Sequence, residues 1–339
     1  MATPPKHTTI IDVARDAGVS RQTVTRALND MADVSEATRA RVLESARRLR
    51  YRPNRAAQAL VRGGGVAVGF LVDNFKNPYY AELASALTRA AAEHGWNVIL
   101  ADLADDEVRS RAQVQALLPR IDALVLTGCR GGTVGMIPID DLRGGLLGIP
   151  TVMIDGDDAT AVDAVVEVDH ITGVRDAIAH LVSRGRRHIG MITSTQFPGS
   201  LRHDTFRTRL DELGLHRDAR SEAAATETYR GGEGAAGRLL AGYPDLDAIL
   251  VYNDAMALGV IKELSRQGVA VPGQVAVIGI DGLEIGELIT PELTTLNVDK
   301  EELARYAIDA IQATMSFGVD SARGTVRNVP LVLRVRESA

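Results

Sequence analysis

Ile10-Ile11-Asp12-Val13-Ala14-Arg15-Asp16-Ala17-Gly18-Val19-Ser20-Arg21-Gln22-Thr23-Val24-Thr25-Arg26-Ala27-Leu28-Asn29 reads as two short helices around a turn. Ile10, Val13, Ala14 and Ala17 fall at i, i+3, i+4 and i+7, the apolar stripe of one helix. Gly18 ends it, because glycine adopts the left-handed conformation that closes a helix without steric cost. Ser20 offers its hydroxyl as the N-cap of a second helix, Arg21 to Asn29. That helix turns Val24, Ala27 and Leu28 inward and leaves Arg21, Gln22, Thr25 and Arg26 on the opposite face. A third helix is expected from Ser35 to about Leu49, with Val42, Leu43, Ala46 and Leu49 packing and Arg39, Arg41, Arg47 and Arg48 outside. Three such helices make an all-α helix-turn-helix head.

The charge of the chain divides around this head. Residues 1–62 hold 12 Lys+Arg and 6 Asp+Glu, whereas the whole chain has 38 against 44 and a formal net charge of −6. A basic head on an acidic body implies a polyanionic partner for the head.

Together with Val34-Ser35 and Tyr51-Arg52-Pro53-Asn54, the opening stretch closely resembles the DNA-binding head of the lactose repressor and galactose repressor family. The resemblance implies that the second helix lies in the major groove of operator DNA, with Arg21, Gln22 and Arg26 at base-reading positions. Arg bridges guanine O6 and N7, and Gln bridges adenine N6 and N7. The resemblance adds Thr25, Asn29, Tyr51, Asn54 and Arg55 to the DNA-contacting set. It also implies that the segment after Pro53 is a hinge helix that orders on the operator, where Leu60, with Ala57 beside it, wedges a minor-groove base step. Read from its own residues, Asn54-Arg55-Ala56-Ala57-Gln58-Ala59-Leu60 is a helix too short and too polar to be stable alone, ending in the Gly63-Gly64-Gly65 linker. The expected division is therefore 8–52 for the head, 53–65 for hinge and linker, and 66–339 for the body.

From Val66 onward, apolar β-rich runs alternate with helical stretches. The runs are Val66-Val72, Trp96-Leu100, Ala123-Leu126, Thr151-Ile154, Ile189-Ile192, Ala248-Val251 and Val275-Ile280. Continuous apolar strands separated by helices predict parallel sheets with helices on both faces. That many units predict two α/β lobes, and open α/β sheets bind ligands at the carboxyl ends of their strands. Polar residues collect at those ends: Asp73 and Asn74, Thr127, Asp155, Asn253 and Asp254, and Asp281. Taken singly, such residues serve as helix N-caps and turn formers.

Asn77-Pro78-Tyr79-Tyr80-Ala81-Glu82-Leu83, Asn253-Asp254-Ala255-Met256-Ala257-Leu258-Gly259 and Ile278-Gly279-Ile280-Asp281 resemble the effector domain of the same family, as does Pro291-Glu292-Leu293-Thr294-Thr295-Leu296. The resemblance implies a periplasmic-binding-protein-like body with a small-molecule effector between its lobes. It implies that Tyr79, Tyr80 and Tyr229 stack on the ligand, and that Thr127, Asp155, Arg202, Asn253 and Asp281 hydrogen-bond it. Asn74 also belongs to this set, although the family usually has a carboxylate there. A second departure is Thr205, where glycine is usual. A carbohydrate is the expected effector, while sugar phosphates, nucleosides and bases stay open because Arg202 is equally suited to a carboxylate or phosphate.

The expected function is a cytoplasmic, DNA-binding transcriptional regulator, a repressor by preference, acting as a homodimer on a pseudo-palindromic operator. A solute-binding protein of the same body fold is the alternative, and it has no use for Arg21, Gln22 and Leu60. An enzyme is not expected: the glycines at 63–65 precede a strand, whereas a dinucleotide loop follows one. No cofactor is expected, and the seven His residues lack metal-ligand spacing. The lone Cys129 cannot form an intramolecular disulfide and reads as a small buried residue. Trp96 reads as core. Neither a signal-peptide core nor a membrane-spanning run is expected.

Overall fold

The structure is a computed structural model that describes residues 9–28, 31, 33–49, 51, 65–72, 75–103, 107–127, 129–130, 133–134, 137–138, 149–156, 162–197, 199–215, 219–317 and 325–339. The head consists of α1 (Ile10–Ala17), α2 (Arg21–Leu28) and α3 (Glu36–Arg48). Thr9 caps α1 in a reciprocal box with Asp12, and Gly18 closes it at φ 65°. The Ser20 hydroxyl accepts the Thr23 N–H at 3.0 Å and the Ser35 hydroxyl that of Thr38 at 3.3 Å, so both expected serine caps open their helices. Val13, Val24, Ala27, Val42 and Ala46 are buried together. The Asp16 carboxylate accepts from Ser45 and pairs with Arg48, tying α1 to α3 and lowering the Asp16 pKa, chiefly through the Ser45 hydrogen bond.

The body opens with β1 (Ala67–Val72), α4 (Pro78–Ala92), β2 (Asn97–Asp102), α5 (Glu107–Leu117) and β3 (Ala123–Thr127). A small antiparallel sheet follows, of β4 (Cys129–Arg130), β5 (Thr133–Val134) and β6 (Ile137–Pro138). Then come β7 (Thr151–Ile154), β8 (Ala164–Asp169), α6 (His170–Ser183), β9 (Ile189–Ser194), α7 (Leu201–Glu212) and β10 (Glu222–Ala225). The chain ends with α8 (Tyr229–Gly242), β11 (Ala248–Val251), α9 (Asp254–Arg266), β12 (Ala276–Asp281), β13 (Thr294–Val298), α10 (Lys300–Phe317) and β14 (Thr325–Arg334).

All seven strands expected from the sequence are present within a residue or two. Their ladder runs β10-β9-β11-β12-β13-β14-β8-β7-β3-β1-β2. Pairing is parallel except between β13 and β14, and β14 is where two half-sheets meet. Its first half, to Pro330, runs parallel to β8; from Leu331 it runs antiparallel to β13. Proline has no N–H to give a ladder, so a change of partner is a position where it fits. The chain thus crosses between lobes at Asp169–His170, between Val298 and Lys300, and at Pro330–Leu331.

One buried core runs through both lobes, from Phe70 and Leu83 to Phe206 and Leu331. The opposite faces are closed separately by Leu103, Ile121 and Leu124 in the first lobe and by Ile249, Val260 and Leu264 in the second. Trp96 is only half-buried, just ahead of β2 and tilted against His94 at 5.1 Å. Among the described residues, no helix is long and apolar enough to cross a membrane.

Candidate functional site

Strand order reverses between β1 and β3 in the first lobe and between β9 and β11 in the second, and the loops leaving these strands face one cleft. Asn77 caps α4 by accepting the Tyr79 N–H at 3.1 Å, and Pro78 occupies the first helical position. This start turns Tyr79 and Tyr80 to the cleft, their rings edge to face at 5.3 Å. Thr127 enters from the end of β3 and Asp155 from the end of β7. The second lobe supplies Arg202, Asn253 and Asp281. Asp155 has φ 52° and Asp281 φ 122°, a backbone region that non-glycine residues adopt only where their surroundings hold them.

Arg202 joins the two walls. Its Nη1 donates to the Tyr252 carbonyl at 2.6 Å and its Nε to His170 Nδ1 at 3.3 Å, while Asp155 and Asp281 lie 3.8 and 3.9 Å away. Burial weakens the charge of Arg202, but Tyr252 and the carboxylates of Asp281, Asp155 and Glu227 outweigh it and raise its pKa. His170, only 2% exposed, accepts from Arg202, so its other nitrogen holds the ring proton and donates to Asp155 at 2.8 Å. Burial, reinforced by Asp155 and Asp281, pushes the Tyr79 phenol well up, so it remains a neutral hydroxyl.

Of the expected effector residues, Tyr79, Tyr80, Thr127, Asp155, Arg202, Asn253 and Asp281 come together in this cleft. Tyr229 does not. Thr228 is the N-cap of α8, which leaves Glu227 on the cleft wall and puts Tyr229, 40% exposed, in a separate groove beside Leu258, Ile261 and Ile289. Asn74 lies outside the described residues. Asn77, Phe197, Glu227 and Tyr252 line the cleft without having been expected, and His170 braces it from behind. Tyr252 was within reach of sequence reading because it directly precedes Asn253 at a strand end. Glu227 was not, since its placement depends on which residue caps α8.

In the head, Arg21, Gln22 and Arg26 are exposed on α2 and Thr25 is half-buried beside them. Arg26 pairs with Asp33 at 2.9 Å, and the Thr25 hydroxyl donates to the Arg21 carbonyl. Tyr51, expected in the DNA-contacting set, is 8% exposed and packs in the head core, where burial raises its pKa. Asn29, Asn54, Arg55, Ala57 and Leu60 lie outside the described residues.

Behind the cleft, Asp254 at the start of α9 accepts from the Leu283 N–H at 2.8 Å and the Thr295 hydroxyl at 2.7 Å. Burial pushes its carboxyl up to about 7, against these hydrogen bonds and the charges of Lys300 and Arg336. Burial likewise raises Asp281 well above the carboxylate range, against Arg202. A raised carboxyl binds its proton in the folded chain where the unfolded chain has released it. The associated stability is full below about pH 4 and falls as pH rises to about 7. The urea midpoint is therefore expected to be lower at pH 8 than at pH 5 at fixed salt, and Asp254→Asn should flatten that slope; an unchanged slope would reject the assignment.

The comparisons with known proteins agree with this geometry. Residues 9–54 match the family model described as bacterial regulatory proteins, lacI family, and residues 178–339 match a periplasmic binding protein-like domain. The ribose operon repressor of Escherichia coli (strain K12) is 32% identical over 306 residues, covering 89% of this chain and 92% of the relative. A solved complex of the transcriptional regulator CelR with cellobiose superimposes at a TM-score of 0.70 with 26% identity, covering 98% of this chain and all of the other. The lac repressor dimer bound to operator and the anti-inducer ONPF shares the fold at a TM-score of 0.70 and 24% identity, covering 98% and 99% of the two chains. A basic helix-turn-helix ahead of a two-lobed α/β body, joined to relatives along nearly the whole chain, makes this protein a member of the LacI family of bacterial transcriptional repressors.

Proposed function

We propose that this regulator binds a pseudo-palindromic operator as a homodimer and that a carbohydrate in the interlobe cleft modulates that binding. The single observation carrying the effector reading is the cleft itself, where three tyrosines, Asn253, Thr127 and three acidic side chains converge on one space. Aromatic faces cover the apolar faces of a sugar ring, and the polar groups pair with its hydroxyls. Asp155 belongs to the first lobe and Arg202 to the second, 3.8 Å apart across the cleft, so a ligand that engages both walls would bias the lobe angle. In this reading the change alters the spacing of the two hinge segments, residues 53–65 of each copy, and shifts their order on DNA. The proposed division is head 8–52, hinge 53–65 and body 66–339.

Linkage makes the coupling reciprocal. The test is the operator affinity measured by fluorescence anisotropy at fixed salt, with and without a sugar first identified by its effect on thermal unfolding. A saturating sugar that leaves operator affinity unchanged would defeat the mechanism.

The proposed dimer surface is the groove between α8 and α9, lined by Leu258, Ile261 and Ile289, together with the chain just before Ile289, where Ile285 is 39% and Leu288 83% exposed. The Lys262–Glu233 ion pair rims it. A two-fold operator requires a second copy, and large exposed apolar side chains beside a charged rim suit a self-complementary contact. Leu288→Asp is expected to shift the chain to monomer in sedimentation and to weaken operator binding, with monomer folding intact by circular dichroism. An unchanged dimer would move the interface elsewhere.

A further inference from the structure

We propose that the cleft selects neutral polyhydroxylated ligands and excludes their phosphate esters, with Glu227 as a residue that sets this selectivity. The inference rests on the carbohydrate reading and narrows the choice that Arg202 leaves open at the level of sequence.

An anion clamp needs a cation that is not already flanked by acidic groups, and the cleft's cations are engaged by the protein. Of its five N–H groups, Arg202 gives Nε to His170 and one at Nη1 to the Tyr252 carbonyl, and the acidic side chains of Asp155 and Asp281 flank the same guanidinium at 3.8 and 3.9 Å. Lys300, next to the cleft and 5.7 Å from the centre of the Tyr79 ring, has three N–H groups. It donates to the Asp281 carbonyl at 2.8 Å and the Gly282 carbonyl at 3.1 Å, and pairs with Glu82 at 3.1 Å. The His170 ring accepts from Arg202 at one nitrogen and faces Asp155 at 2.8 Å with the other, so both its nitrogens are engaged by the protein.

The wall itself carries the carboxylates of Asp155 and Glu227, with the buried Asp281 carboxyl beside them, against one arginine. Glu227 is presented as an acceptor. The Ser194 hydroxyl accepts N–H groups from Gln196 and Phe197 at 3.0 and 3.2 Å, so its own proton goes to Glu227 at 2.7 Å. Asn253 accepts the Met256 N–H at 2.9 Å through its carbonyl, which fixes its amide nitrogen toward Glu227 at 3.5 Å. A wall rich in acceptors suits ligand hydroxyls, which arrive as donors. A phosphate brings only acceptors and negative charge, and like charges brought together in a partly desolvated site are strongly unfavourable.

The experiment titrates the purified full-length protein, by calorimetry, with matched pairs: ribose and ribose 5-phosphate, glucose and glucose 6-phosphate, fructose and fructose 6-phosphate. In any pair that binds, the free sugar is expected to bind about 100-fold more tightly or better. Glu227→Gln is expected to narrow that ratio by about tenfold. A phosphate ester that binds as tightly as its free sugar, or more tightly, overturns the exclusion while keeping the carbohydrate reading. Silence from every member of the panel counts against the carbohydrate reading and this proposal together. The 31P linewidth of inorganic phosphate supplies an arm that needs no sugar: no saturable broadening is expected, and broadening lost in Arg202→Met would establish the anion clamp denied here.

Discussion

Arg202→Met is expected to lower effector affinity by roughly 30- to 1000-fold and to destabilise the unliganded protein by about 3–5 kcal/mol. The side chain is one of the few cations buried in the body, and four separate groups depend on it: the His170 ring, the Tyr252 carbonyl and the carboxylates of Asp155 and Asp281. Its guanidinium also lies 4.7 Å from the centre of the Tyr252 ring, a contact worth more in a desolvated setting than at the surface. Methionine keeps the stem and removes every donor. Asp155 and Asp281 then face each other's lobe without their shared counter-charge, and His170 loses the interaction that selects its tautomer. Arg202→Lys separates charge from geometry, because an ammonium restores a positive point but cannot direct donors to the His170 ring and the Tyr252 carbonyl at once as the planar fork does. Lysine is expected to recover part of the urea midpoint and little of the affinity. Effector binding within about threefold of the unsubstituted protein in Arg202→Met would remove Arg202 from the site.

Much of this was legible in the sequence, and the rest was hidden for identifiable reasons. The head follows from local chemistry, since Ser20, Ser35 and Gly18 set the helix limits where they stand. The seven strands recognised in advance are short apolar runs that a buried parallel sheet requires. Those missed are made by tertiary pairing. Glu222-Ala223-Ala224-Ala225 has helix-forming composition and becomes a strand through its ladder with β9. Thr325–Arg334 contains a proline and four other residues that are not large and apolar, yet it joins the two half-sheets. At the cleft, residues at strand ends were found because topology sends strand ends there. His170 and Glu227 were missed because their roles depend on partners from other segments, Asp155 with Arg202 in one case and Ser194 with Asn253 in the other. Tyr229 stands outside the cleft for the same reason that Glu227 stands in it: the cap at Thr228 determines which side of the helix start faces the cleft.

Arg21→Ala combined with Gln22→Ala is expected to cost about 100-fold or more in specific operator affinity, while binding to unrelated duplex falls far less. Both residues sit in the first turn of α2 with exposed side chains, whereas Val24 and Ala27 of the same helix are buried in the head core. The proposed reading face is thus opposite the packing face, and the double variant should keep the head's circular dichroism and unfolding midpoint. Arg26 differs, because its 2.9 Å pair with Asp33 already occupies part of its guanidinium. An exposed pair of this kind contributes only about 0–1 kcal/mol, so Arg26 can exchange Asp33 for a base edge at small cost. The operator is first obtained by selection from a random duplex library with the unsubstituted protein, which is expected to return a pseudo-palindrome. Anisotropy titrations at several salt concentrations then separate the two kinds of contact. Loss of base readout lowers affinity for the selected sequence, whereas loss of a phosphate contact weakens all sequences alike and reduces the salt slope by about one. Because Arg21 is itself charged, the decisive readout is the ratio of specific to non-specific affinity. A double variant that weakens both equally would assign α2 to the phosphate backbone and place the base-reading residues elsewhere in the head.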